Sequence, residues 1–198
     1  MRQAIARHAA QMLVENGDLT MGAARRKAQE LLGPARNRDL PDFAEIEAAI
    51  ADHLRLFGGV RHARRLFELR REALRAMRLL APFEPRLVGP LLAGTASSHA
   101  RVSLHVFADT VEEITLFLDE NGIPFLLSER RYRDSRRPYP SVSFMAGDTP
   151  VELVIFLPEA GHRVPLSELD GRPMRRADIA DVEALLAAPA AAAITTTR

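Results

Sequence analysis

Two side chains of this sequence carry the chemistry of a reaction centre and lie where strands would display them. His105 is in Arg101-Val-Ser-Leu-His-Val-Phe107, an alternating, β-rich run that predicts a strand. Ser103 comes two residues earlier, and residues i and i+2 of a strand point to the same side. Glu152 lies inside Val151-Glu-Leu-Val-Ile-Phe-Leu157, the strongest strand signal in the chain. An imidazole titrates near neutral pH and a carboxylate orients it, which is the equipment of acid–base catalysis. With His99 nearby in sequence, His105 and Glu152 also have the donor types of a transition-metal site. A third reading needs no reaction. His105 is then a strand histidine with satisfied hydrogen bonds, and Glu152 a paired surface residue.

Other constellations carry less. Ser97, Ser98 and His99 have no Gly-x-Ser-x-Gly elbow and no placed Asp partner, so they read as a polar loop. Arg130, Arg131, Arg133, Arg136 and Arg137, with Tyr132 and Tyr139, form the best basic and aromatic cluster. Such a cluster suits phosphate or single-stranded RNA. Glu129 and Asp134 dilute its charge, and a solvated hairpin is the plainer reading. Asp170-Gly-Arg-Pro reads as a turn.

The elements that position these residues fall into two parts. Residues 1–82 read as a helical domain. Ile5, Ala9, Met12 and Leu13 recur at helical spacing over 2–16, and Met21, Ala24, Ala28, Leu31 and Leu32 do so over 20–32. Asp42 predicts an N-cap with Glu45 completing a capping box, opening a helix that carries Phe43, Ile46, Ile50, Leu54 and Phe57 to Gly58-Gly59. A fourth helix is expected from about Val60 to Ala81, with Leu66, Phe67, Leu74, Met77 and Leu80 inward and Pro82 and Pro85 closing it. Its arginine-rich outer side reads as a solvated face, since no aromatic interleaves to stack a base. Residues 83–187 read as a small α/β domain. Strands are expected at 101–107, 123–127, 142–145 and 151–157, with a helix capped by Thr110 and Glu113 and a last helix from about 177 to 187. Residues 188–198 are a flexible tail rich in alanine and threonine. The fold class is α+β, a helical domain followed by a small mixed sheet with helices on one face.

Composition limits the function classes. No cysteine is present, which excludes disulfides, thiolate metal sites and a cysteine nucleophile. The formal net charge is +1, which argues against an obligatory nucleic-acid coat but leaves room for a local basic patch. The first eighty residues are net positive and the remainder net negative, in step with the change of pattern. Lys27 is the only lysine; the arginine bias reads as codon usage in a GC-rich, bacterial genome. No apolar run is long enough to span a membrane, and the first residues lack the apolar core of a secretory signal. A soluble, cytoplasmic protein is expected.

The stretch from Gly94-Thr95 through Ser103-Leu-His105 resembles the core of the nucleotidyltransferase superfamily, the polymerase-beta-like fold. That family places a Gly-Ser or Gly-Thr turn before a strand with an Asp-x-Asp pair, and takes a third carboxylate from a neighbouring strand. The carboxylates hold two metal ions that clamp an in-line phosphoryl displacement. The resemblance spans roughly residues 86–160. It puts Gly94 and Thr95 at the turn that offers N–H groups to a nucleotide phosphate, Ser103 and His105 at the Asp pair, and Glu152 at the third carboxylate. The metal motif is therefore degenerate, because serine and neutral histidine replace the hard ligands magnesium demands. The resemblance implies a nucleotidyltransferase-like pseudoenzyme, with Gly94, Thr95 and Ser103 binding nucleotide and Glu152 and His105 left as the catalytic candidates; the metal is unknown. Two alternatives stand beside it. One is an active, divergent transferase that uses Mg²⁺ and an NTP to move NMP onto a protein, RNA or small molecule. The other is a non-catalytic module that docks a protein partner through the helical domain.

Overall fold

The computed structural model describes residues 1–15, 19–33, 40–96, 100–132, 135, 137–159, 164–167 and 173–187, with Arg55 described by its backbone alone. Ser97, Ser98 and His99, the 170–172 turn, Arg133, Asp134, Arg136 and the 188–198 tail lie outside the described residues. The architecture is α+β: helices first, then a five-stranded mixed sheet.

Helix α1 runs Arg2–Glu15 and α2 Met21–Leu32, the latter opened by the Thr20 hydroxyl accepting from the Ala23 amide. Helix α3, Phe43–His53, begins with the expected capping box. Asp42 Oδ1 accepts from the Glu45 amide and Glu45 Oε2 accepts from the Asp42 amide, each at 2.8 Å. Arg2 of α1 then grips the same Glu45 at 2.7 Å, tying α1 to the start of α3. Ile5, Ala9, Ala24, Ala28, Ile46, Ile50 and Leu54 form one apolar core from these helices. Alanines on the facing sides let α1 and α2 approach closely.

A π-helical turn, Leu54–Gly58, leads to α4, Gly59–Leu79. Gly59 has φ 51 and ψ −153, a combination essentially reserved for glycine, and it bends the chain sharply. From Leu69 onward one face of α4 is buried, and Leu69, Ala73 and Met77, with Leu80 at its end, belong to the sheet's core, not to that of α1–α3. The sequence reading groups α4 with residues 1–82, yet its packing joins it to the part that follows. Phe57 and Phe67, expected inward, are 74% and 46% exposed. Phe57 lies in the π-helical turn, and Phe67 precedes the stretch of α4 that the sheet core covers.

After a 3₁₀ turn come β1 (Arg86–Val88), a one-turn helix α5 (Pro90–Ala93), β2 (Val102–Phe107), α6 (Val111–Glu120), β3 (Phe125–Arg130), β4 (Tyr139–Ala146), β5 (Thr149–Phe156) and α7 (Ile179–Ala187). Spatial order is β1-β2-β5-β4-β3. Strand β2 pairs in parallel with β5; the other pairings are antiparallel. Gly147 at φ 60 makes the two-residue turn between β4 and β5. Val102, Leu104, Val106, Val151, Leu153 and Ile155 point into one core with α4, Ile114 and Leu118 of α6, and Val182 of α7. Alternation then sends Ser103, His105, Phe107, Glu152, Val154 and Phe156 to the other face. No helix among the described residues is long and apolar enough to cross a membrane.

The bend gives a paired stability test. A Cβ at Gly59 would meet nothing within 4 Å, so Gly59→Ala costs backbone strain alone, about 1–3 kcal/mol in urea denaturation. Gly22, inside α2 with similarly open surroundings, gains about 0.5 kcal/mol on Gly22→Ala.

Candidate functional site

The parallel ladder sets Ser103 directly beside Glu152 and His105 beside Val154, so the sequence-predicted trio shares one face of the sheet. Its members have different surroundings.

His105 is completely buried. Arg176 donates its Nε–H to His105 Nδ1 at 3.0 Å, so Nδ1 carries the lone pair and the ring proton is on Nε2. Nε2 lies 2.8 Å from the Tyr132 hydroxyl and donates to it. The Arg176 guanidinium also lies over the Phe156 ring at 5.0 Å and the Phe107 ring at 5.3 Å. Burial, and then the positive charges of Arg176 and Arg130, push the His105 pKa down to about 3. Burial pushes the Tyr132 phenol up to about 12, with Glu152 adding to it and Arg130 and Arg176 opposing it. His105 is thus a neutral imidazole with both nitrogens engaged, and it presents no lone pair to a metal or a substrate. Its assignment as a catalytic residue is corrected to a strand histidine with satisfied hydrogen bonds. Tyr132 and Arg176 complete this network from loops 27 and 71 residues away in sequence.

The same packing revises the basic and aromatic cluster. Tyr132 is buried, and Tyr139 stacks on Phe156 at a centroid distance of 4.6 Å. The Tyr132 ring therefore serves the sheet and is closed to an RNA base, while Tyr139 is half-buried against Phe156.

Glu152 keeps 12% of its side chain exposed. Arg101 Nη1 lies 3.7 Å from one of its oxygens and Arg130 Nη1 3.9 Å from the other. Ser103 on one side and Ser143 on the other are its neighbours in register.

The Gly94-Thr95 bend ends α5. Gly94 takes φ 82, and its amide and that of Thr95 both donate to the Pro90 carbonyl. The expected role of this turn, offering N–H groups to a phosphate, is therefore corrected: both amides are engaged in the helix cap. Helix α4 holds the same turn from behind. Arg70 donates to the Leu91 and Leu92 carbonyls at 3.2 and 3.4 Å, and His62 Nε2 donates to the Gly94 carbonyl at 3.3 Å. What the turn does present is the side of Thr95. With Ser103 and Arg101 it lines a cleft of about 1040 Å³ between the start of β2 and the helices. Arg61, Arg64 and Arg65 of α4 also line it, with Glu68 paired to Arg64 and Arg65.

Magnesium, which the resemblance implies, does not fit these donors. Glu152 is the lone carboxylate of the trio and is held by two guanidinium groups, while a hydroxyl and a neutral, doubly bonded imidazole fill the other two positions. Among the described residues no three His, Asp or Glu side chains are grouped for a metal.

No family model, curated protein or solved structure matches this chain.

The network yields a pH prediction. His105 binds a proton at 6.5 in the unfolded chain and only near 3 in the fold, so between those values the unfolded state holds the extra proton and stability falls as pH drops. From pH 6 to 4.5, the denaturation midpoint of the native chain declines by the equivalent of about 1.4 kcal/mol per pH unit from this group. The decline flattens in His105→Gln, measured by urea titration at each pH.

Proposed function

We propose that this chain is a nucleotidyltransferase-like protein that binds a nucleotide in the cleft between α4 and the start of β2 and does not run two-metal transfer. One observation carries the reading: the cleft brings the hydroxyl-bearing Thr95 and Ser103 together with Arg61, Arg65 and Arg101. Hydroxyls and guanidinium forks are the natural partners of phosphate oxygens, and a cleft lined by positive charge concentrates anions. The bend and the two strands keep the relative order that the resemblance requires, and Ser103 and Glu152 stand side by side as it implies. The ligand contacts in this reading come from side chains, since the amides of Gly94 and Thr95 are engaged.

A second reading, a protein-docking module, is favoured by Leu56, Phe57 and Val60, which lie close together in sequence and are 67%, 74% and 73% exposed around the π-helical turn. Under that reading the residues bury against a partner, and Leu56→Glu with Phe57→Glu releases it without lowering the melting temperature of the free protein.

The nucleotide reading is tested by calorimetric titration and thermal shift with ATP, GTP, CTP and UTP. Binding of at least one raises the melting temperature, and Arg61→Glu removes the rise. A flat melting temperature with all four would overturn it. Incubation with α-labelled NTP and Mg²⁺ or Mn²⁺ leaves no label on the protein or on added RNA; transfer that disappears in Glu152→Gln would restore the active transferase instead.

A further inference from the structure

We infer that Arg101 and Arg130, gathered on the Glu152 carboxylate, bind the polyphosphate of the ligand directly and without a divalent cation. This rests on the nucleotide reading and names the chemistry of that site. Glu152 stands mid-strand on β5 with one guanidinium at each oxygen. A carboxylate in that position would ordinarily gather metal cations that then meet the phosphates; here it gathers guanidinium groups.

Three features make these groups a phosphate site. First, two positive charges face one negative charge, so the patch as a whole attracts an anion. Second, the distances of 3.7 and 3.9 Å exceed hydrogen-bond length, so the N–H forks are held near the carboxylate without being bonded to it. Their side chains are 60% and 45% exposed, which leaves those forks accessible to phosphate oxygens in the bidentate geometry guanidinium favours. Third, the partly exposed hydroxyl-bearing neighbours in register, Ser103 and Ser143, flank Glu152 on both sides and supply further donors. Ser103 and Arg101 also line the cleft, so the patch continues into it.

The shared chemistry is a chain of phosphates, whether it comes from a nucleotide or from inorganic polyphosphate. The experiment is isothermal titration of the full chain with ATP, with inorganic tripolyphosphate and with adenosine. Each is run in EDTA and again in excess Mg²⁺. ATP is expected to bind as well in EDTA as in Mg²⁺, with adenosine at least tenfold weaker. Tripolyphosphate equal to ATP assigns the site to the phosphate chain alone; a clear excess for ATP adds a base contact in the cleft. Arg101→Ala and Arg130→Ala each weaken binding about tenfold or more, and affinity falls with added salt. Glu152→Gln retains binding, whereas a metal-dependent site would lose it. Binding that needs Mg²⁺ overturns the inference and leaves the nucleotide reading standing. Unchanged binding in the Arg101→Ala, Arg130→Ala double variant also overturns it and moves the ligand elsewhere in the cleft. No binding of ATP in either buffer removes both. Both arginines are exposed, and circular dichroism melts of the variants confirm that folding is kept.

Discussion

The parallel ladder between β2 and β5 is the constraint on which the rest of the structure depends. Side chains on adjacent strands in register must share a face, and alternate residues must separate. Leu104 and Leu153 therefore go to the helices together, and Ser103 and Glu152 go to the opposite side together. A one-residue slip would exchange the faces, burying a carboxylate under α4 and α6 and exposing the core. The apolar face makes the slip too costly, so packing on one side of the sheet fixes the chemistry on the other.

The polar face is divided in turn by what covers it. Toward the ends of β2 and β5, aromatic rings and Arg176 seal His105 away from water. In that setting an imidazole is cheaper to keep neutral than charged. Its two nitrogens then have one donor role and one acceptor role, and Tyr132 and Arg176 match them. Toward the starts of the strands Glu152 keeps a small contact with solvent, and Arg101 and Arg130 beside it are accessible. Two polar side chains two strand positions apart in register thus end in different electrostatic environments.

Much of the scaffold was legible because its causes are local. The capping box at Asp42 and Glu45, the cap at Thr110 and the alternation of 101–107 and 151–157 all follow from residues within a few positions of one another. The same period put Ser103 and His105 on one face, while the register that sets Glu152 beside Ser103 came only with the β2–β5 ladder. What sequence could not supply was the identity of distant partners. Nothing near His105 signals that its hydrogen bonds come from Tyr132 and Arg176, and a histidine facing solvent would have had the same neighbours in sequence. The commitment of the Gly94 and Thr95 amides was hidden for a different reason. A Gly-Thr dipeptide is compatible with a phosphate cradle and with the end of a one-turn helix, and Pro90 decides between them by starting that helix four residues earlier. The place of α4 was misread because amphipathic spacing marks an apolar stripe without saying which layer it meets.

Gly59 joins two apolar cores that have no residue in common. Ile50 and Leu54 stand before it and Arg61 and His62 after it, and all four line the cleft. Side chains from both sides of this glycine thus meet in one cavity, and its left-handed torsions fix the spacing at which they do so.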